Sequence, residues 1–183
     1  ADPNCVVLSR DGRVHRPGQT IPVRITKQFR FDDAANSVEI LYKLSCPHGT
    51  SVEATFAVEN NFTFQAGHAH DRYLLIDNQR PESSWLDTST RHPRAFGIAM
   101  VDEYRNLAAA VVSDREAEIW HLPIFTVSLS EAGFERVYQG TTLVHVYRIT
   151  LSDNPARVAL TVHAGRMAEV LREAFAASSV SAR

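Results

Sequence analysis

Residues 52–65, VEATFAVENNFTFQ, carry the strongest constraint in this chain. Val52, Ala54, Phe56, Val58, Asn60, Phe62 and Phe64 fall on one face, and Glu53, Thr55, Ala57, Glu59, Asn61, Thr63 and Gln65 on the other. Apart from Asn60 this is an apolar/polar alternation with period two, which belongs to a β-strand with one face on a core and the other in water. Three phenylalanines and two valines suit such a half-buried pleated surface. Ala66-Gly67 then breaks the pattern and delivers the chain to a polar corner, His68-Ala69-His70-Asp71-Arg72-Tyr73.

The rest of the chain follows the same rule. Val6 to Arg10 reads as a short strand, with Asp11-Gly12 as a hairpin signal after it and Pro17-Gly18 as a second turn. Val23 to Phe31 and Val38 to Leu44 alternate on either side of a turn rich in Asp, Asn and Ser, and pair as a hairpin. Tyr73 to Ile76 is a short apolar strand. Residues 77–95 form a polar interval, and a loop that long inside a compact domain is functional or disordered. Strands follow over 96–104, 107–113 and 116–122, the last ending at Pro123, which cannot donate to a ladder. Residues 124–140 mix apolar residues around a polar centre. Two more strands, 142–151 and 158–163, precede a tail in which Met167, Val170, Leu171, Ala174 and Phe175 recur at helical spacing.

About ten strands at short intervals, with no helix between them, indicate an all-β fold, an antiparallel sandwich or barrel rather than a parallel α/β sheet, with one C-terminal α-helix. The expected domain is 1–163, followed by an amphipathic helix and tail over 164–183. The helix should dock on the sandwich or on a partner.

A chain of 183 residues is long enough for one sizeable core. A formal net charge of −2 and the absence of a Lys/Arg run argue against nucleic acid and anionic membranes as partners. No stretch is long and apolar enough to span a membrane. Ala1-Asp2-Pro3-Asn4-Cys5 has neither the cationic region nor the apolar run of a secretory signal, and with no initiator Met it reads as an excised fragment or a processed chain. Cys5 and Cys46 read as free thiols of a cytoplasmic protein.

Few residues offer chemistry. His68, His70 and Asp71 supply imidazole and carboxylate groups that could bind metal or act as acid and base, but no third ligand at fixed spacing accompanies them. The competing account is that they satisfy backbone groups at a sharp corner. Glu53 and Glu59 share a strand face about 20 Å apart, too far for a glycosidase pair. There is no nucleophile elbow and no phosphate loop. We therefore expect no catalytic residue, no metal and no cofactor. Trp85, in the polar interval, is placed to touch a sugar or a partner surface. Trp120, in a strand, reads mainly as core. Carbohydrate or partner contact is assigned to His68, His70, Asp71, Arg72, Tyr73, Trp85 and Trp120.

Several stretches, in one order, resemble the C-terminal β-domain of glycoside hydrolase family 57 enzymes, the 4-α-glucanotransferases and α-amylases. They are FAVENNFTFQAGHAHDRY, MVDEY at 100–104, IWHLPI at 119–124 and TVSLSEAGFERVYQG at 126–140. Ala132 stands where that pattern has glycine. The resemblance covers roughly residues 5 to 163. It implies a supersandwich similar to that of galactose mutarotase, and an α-1,4-glucan context. It also implies that the catalytic carboxylates belong to an N-terminal barrel, whose alternating βα pattern is absent from this chain.

Three functions stand open on these grounds. The chain is a non-catalytic β-domain that packs on a catalytic barrel and lines the substrate path; or a stand-alone module that binds α-glucan or maltooligosaccharide; or a mutarotase-like sugar epimerase using His68 or His70. The oligomeric state is open too.

Overall fold

The computed structural model describes residues 2–131 and 133–176. Ala132 and the tail beyond Ala176 lie outside the described residues. The elements are β1 (Cys5–Arg16), β2 (Gln19–Asp32), β3 (Ser37–Ser45), β4 (Val52–Phe62), β5 (Arg72–Ile76), β6 (Thr90–Asp102), β7 (Leu107–Ser130), β8 (Gly133–Leu151), β9 (Ala156–Arg166) and α1 (Met167–Phe175). Every strand pairing is antiparallel. One ladder runs β1-β2-β3-β9-β7-β6-β5, while β8, carrying β4 on its other edge, pairs with the second half of β7. The long β7 thus belongs to both layers of the sandwich.

Alternation builds the core between them. Val52 and Val58 of β4 and Tyr147, Ile149 and Leu151 of β8 share one apolar cluster with Ile40, Tyr42 and Leu44 of β3 and Val158 and Leu160 of β9. Phe56 meets Tyr42 edge-on at 5.2 Å and stacks near Tyr147 at 6.3 Å. Tyr147 donates to Ser113 Oγ at 2.9 Å inside the core, and burial pushes its pKa up. Asn60, the exception in the alternation, keeps its inward register, and its Nδ2 finds no partner among the described residues.

A second cluster lies on the opposite face of the first sheet. Leu75, Ala99, Val101, Ala108 and Ala110 pack there against Val170, Ala174 and Phe175 of α1. The helix therefore docks on the sandwich itself. Its approach is close because the residues beneath are small: a Cβ on Gly97 would sit 3.0 Å from the Phe175 ring and 2.9 Å from Val112.

Several expected boundaries move. Asp11-Gly12 is no turn, since β1 pairs with β2 without a break from Cys5↔Arg30 to Arg16↔Gln19. The turn is Pro17-Gly18, with Gly18 at φ 74°, the left-handed value that favours glycine after Pro. The interval expected as loop to residue 95 ends earlier, because β6 starts at Thr90 and carries Pro93 inside a register shift between His92 and Ala95. Pro123 does not end its strand. It pairs with Thr141, at a point where β6 no longer flanks β7, so the proline sits on a strand edge, where a missing donor is tolerated. Residues 124–130 and 133–140 continue the β7–β8 ribbon.

Candidate functional site

Gly67 lets the polar corner lie flat. A Cβ there would stand 2.8 Å from both Asp87 Cβ and the Tyr138 ring. The Leu86 N–H donates to the Gly67 carbonyl at 3.0 Å, fixing the 66–73 corner to the following loop. The His68 ring stacks on Trp85 with centroids 4.1 Å apart and planes 14° from parallel, and its Nδ1 lies 3.0 Å from Asp87 Oδ1. His70 meets Trp85 edge-on at 5.7 Å. The fold thus brings His68, His70 and Trp85 together and adds Asp87, Tyr138 and Thr141. Thr141 donates its only proton to the Leu86 carbonyl at 2.7 Å, so the Tyr138 hydroxyl, 2.7 Å from the same oxygen, is the donor to it.

Asp71, Arg72 and Tyr73 work one strand away. The Arg72 guanidinium is mostly buried and reaches Asp71 at 2.8 Å and Asp102 at 3.3 Å. The other Asp102 oxygen accepts the Arg105 N–H at 3.0 Å. Tyr73 donates to Glu103 at 2.7 Å beneath the Arg80 guanidinium, which lies 3.9 Å from its ring centre. Burial, and then the bond to Glu103, hold the Tyr73 hydroxyl above its ordinary pKa. These contacts tie β5 to the β6–β7 turn. Among the described residues no three His, Cys, Asp or Glu side chains gather closely enough to hold a metal ion.

Trp120 lies apart from the corner and outside the core, contrary to the expectation from its strand. Ile119 and His121 take the inward positions, both fully buried, and Trp120 points to the outer face, half-buried. Its Nε1 donates to Glu118 at 2.8 Å, and the Arg91 guanidinium packs 4.5 Å from the ring. Trp120 borders a groove of about 620 Å³, lined also by Thr55, Arg94, Glu116, Glu118 and Arg148. A neighbouring hollow of about 700 Å³ shares Thr55 and Arg148 and continues to Glu53, His15 and Arg16. Arg16 donates to the Glu53 carbonyl there.

Beneath this face runs a histidine chain that sequence spacing does not reveal. Thr88 donates to the Trp85 carbonyl at 2.9 Å, so it accepts from His121 Nε2 at 3.2 Å, and His121 Nδ1 in turn accepts from His92 Nε2 at 3.3 Å. Burial, with His92 adding to it, lowers the His121 pKa to about 4. His145, on the neighbouring strand, is likewise held at about 4 by burial.

The last feature is the ribbon formed by the end of β7 and the start of β8. Past Ile124 it has no third strand among the described residues. Val127, Leu129 and Phe134 share one of its faces and are 68 %, 75 % and 82 % exposed. The Arg136 guanidinium covers Phe125, 3.6 Å from its ring centre.

Comparison with known proteins adds the following. The family described as alpha-amylase/4-alpha-glucanotransferase, C-terminal, matches residues 2–160. Alpha-amylase 1 of Dictyoglomus thermophilum is 37 % identical over 120 residues, which cover 62 % of this chain and 16 % of that protein. The chain therefore spans a small fraction of that curated relative. The 4-alpha-glucanotransferase of Thermococcus litoralis superposes with a TM-score of 0.65 at 20 % identity, covering 89 % of this chain and 21 % of that one. A putative aldose 1-epimerase of Escherichia coli K12 gives 0.63 at 6 % identity, covering 91 % and 67 %. These likenesses to solved structures establish the sandwich as the galactose mutarotase-like one.

Proposed function

The chain belongs to the family of C-terminal domains of α-amylases and 4-α-glucanotransferases, and from that premise we propose that it is the non-catalytic β-sandwich of a family-57 α-1,4-glucan-processing enzyme. In this reading it packs against a catalytic barrel and presents the polar corner to it. The enzyme is cytoplasmic, in keeping with the free thiols Cys5 and Cys46. No helix among the described residues is long and apolar enough to cross a membrane. The likeness to the epimerase is one of fold alone, and fold does not carry function.

The exposed apolar ribbon carries this reading. An isolated two-stranded ribbon is marginal in water, and Val127, Leu129 and Phe134 stand on it together. Clustered exposed side chains of this kind mark a surface that another protein surface covers. The corner adjoins it through Tyr138, against which Gly67 packs.

The test is calorimetry on the protein that contains this chain and its neighbouring domains. Leu129→Ser combined with Phe134→Ser should split one unfolding transition into two, with the sandwich's own midpoint little changed. A single transition identical to the parent's would show that the ribbon is no interface.

A further inference from the structure

We propose that the outer face of β4, β8, β7 and β6 is a saccharide-binding groove, with Trp120 as its stacking platform and an α-linked glucan chain as its ligand. The α-glucan class rests on the function proposed above; the groove rests on the structure.

Three observations support it. The first is the platform. A pyranose ring has a weakly polar C–H face and a rim of hydroxyls, so its receptor needs a flat apolar surface edged by planar polar groups. Trp120 supplies the surface. Its one polar atom is already engaged by Glu118, and Arg91, which packs against the indole, is not among the residues lining the groove. The indole therefore meets a ligand with no donor of its own left unsatisfied.

The second is the rim. Arg94 holds Glu116 through two nitrogens, at 2.7 and 3.1 Å. Together with Glu118, Arg148 and Thr55 these groups offer donors and acceptors side by side, as vicinal hydroxyls require. Both signs of charge are present, which favours a neutral polar ligand over an anion.

The third is length. The groove crosses neighbouring strands, and four strands at the usual spacing span about 14 Å. The adjoining hollow at Glu53, His15 and Arg16 extends it across β4. An open trough of this kind suits an extended chain more than one enclosed sugar. The inward face of the same strands is closed core, so recognition depends on the outward residues alone.

The experiment is isothermal titration of the full chain with maltoheptaose, cellohexaose as comparison. Two variants accompany it, Trp120→Ala, which removes the platform, and Thr55→Phe, which fills the trough without removing a core contact. Unfolding midpoints within a few degrees of the parent confirm that both variants fold. Saturable maltoheptaose binding, weakened about tenfold or more in both variants, is the expected result. Maltoheptaose binding that neither variant alters would overturn the groove and leave the α-glucan reading standing. Cellohexaose binding alone, lost in both variants, would uphold the groove and overturn its α-glucan ligand. No saccharide binding by the folded parent would overturn the proposal.

Discussion

Along its first half β7 turns Ala108 and Ala110 outward, and along its second half Glu116, Glu118 and Trp120. The same strand, with the same inward series Val111, Ala117 and Ile119, therefore has two different outer surfaces. Over the alanines a helix packs closely, and Phe175 reaches down to Gly97. Over the charged half, a covering helix would have to strip water from Arg94, Glu116 and Glu118, and taking charges out of water costs several kcal/mol for each ion. That half stays open. The difference shows that the outward residues, invisible to the core, decide whether a sheet face becomes structure or surface.

Acid should expose the contrast most strongly. His121 and His145 lie on the inward side beneath the open half and are held neutral, each near 4, by burial. The unfolded chain binds these protons near 6.5. From about 6.5 down to 4 the unfolded state takes up protons that the folded state refuses, so stability falls as the pH falls, by of the order of 3 kcal/mol for each histidine. The helix-covered half has His163, lowered by burial but raised in part by Glu173. Urea unfolding at pH 7 and pH 4.5, with hydrogen exchange at pH 5, should show β8 and the second half of β7 loosening first. Equal stability at the two pH values would break the comparison.

Removal of one large side chain from each surface gives the next effect. Phe175→Ala should cost about 3 kcal/mol, since it empties a site closed on all sides. Trp120→Ala should cost less than about 1 kcal/mol, because its ring is half in water and leaves no closed cavity. Comparable losses in urea unfolding would mean that the outer face is packed after all.

The smallest expected change is at the groove rim. Glu116→Gln removes the ion pair with Arg94, whose side chains are 44 % and 76 % exposed. Its effect should stay within about 0.5 kcal/mol, as for exposed pairs in general. A larger loss in the same assay would make the rim a structural feature of the sandwich.

The loops show the limit of reading residues in order. The His68–Trp85 stack joins positions far apart in sequence, and the Asp87 that receives His68 lies in an interval that reads only as polar. Trp85, the tryptophan with the stronger case for contact from its place in a loop, has a ring face occupied by His68. Trp120, read as core, borders the groove. Asp11-Gly12 has turn composition, yet a continuous ladder absorbs it, because ten flanking pairs outweigh the preference of two residues.

Period-two alternation by itself determined that the chain is all-β and antiparallel, and which face of β4 points inward, because a side chain's face in a strand depends only on its parity. The helical spacing of Met167, Val170, Leu171, Ala174 and Phe175 determined α1 in the same way. Only the tertiary structure decided which outward face the helix would cover, where β7 would pass from one layer to the other, and that Trp120 would border a groove. Those outcomes depend on which strands become neighbours, and no local period encodes a neighbour.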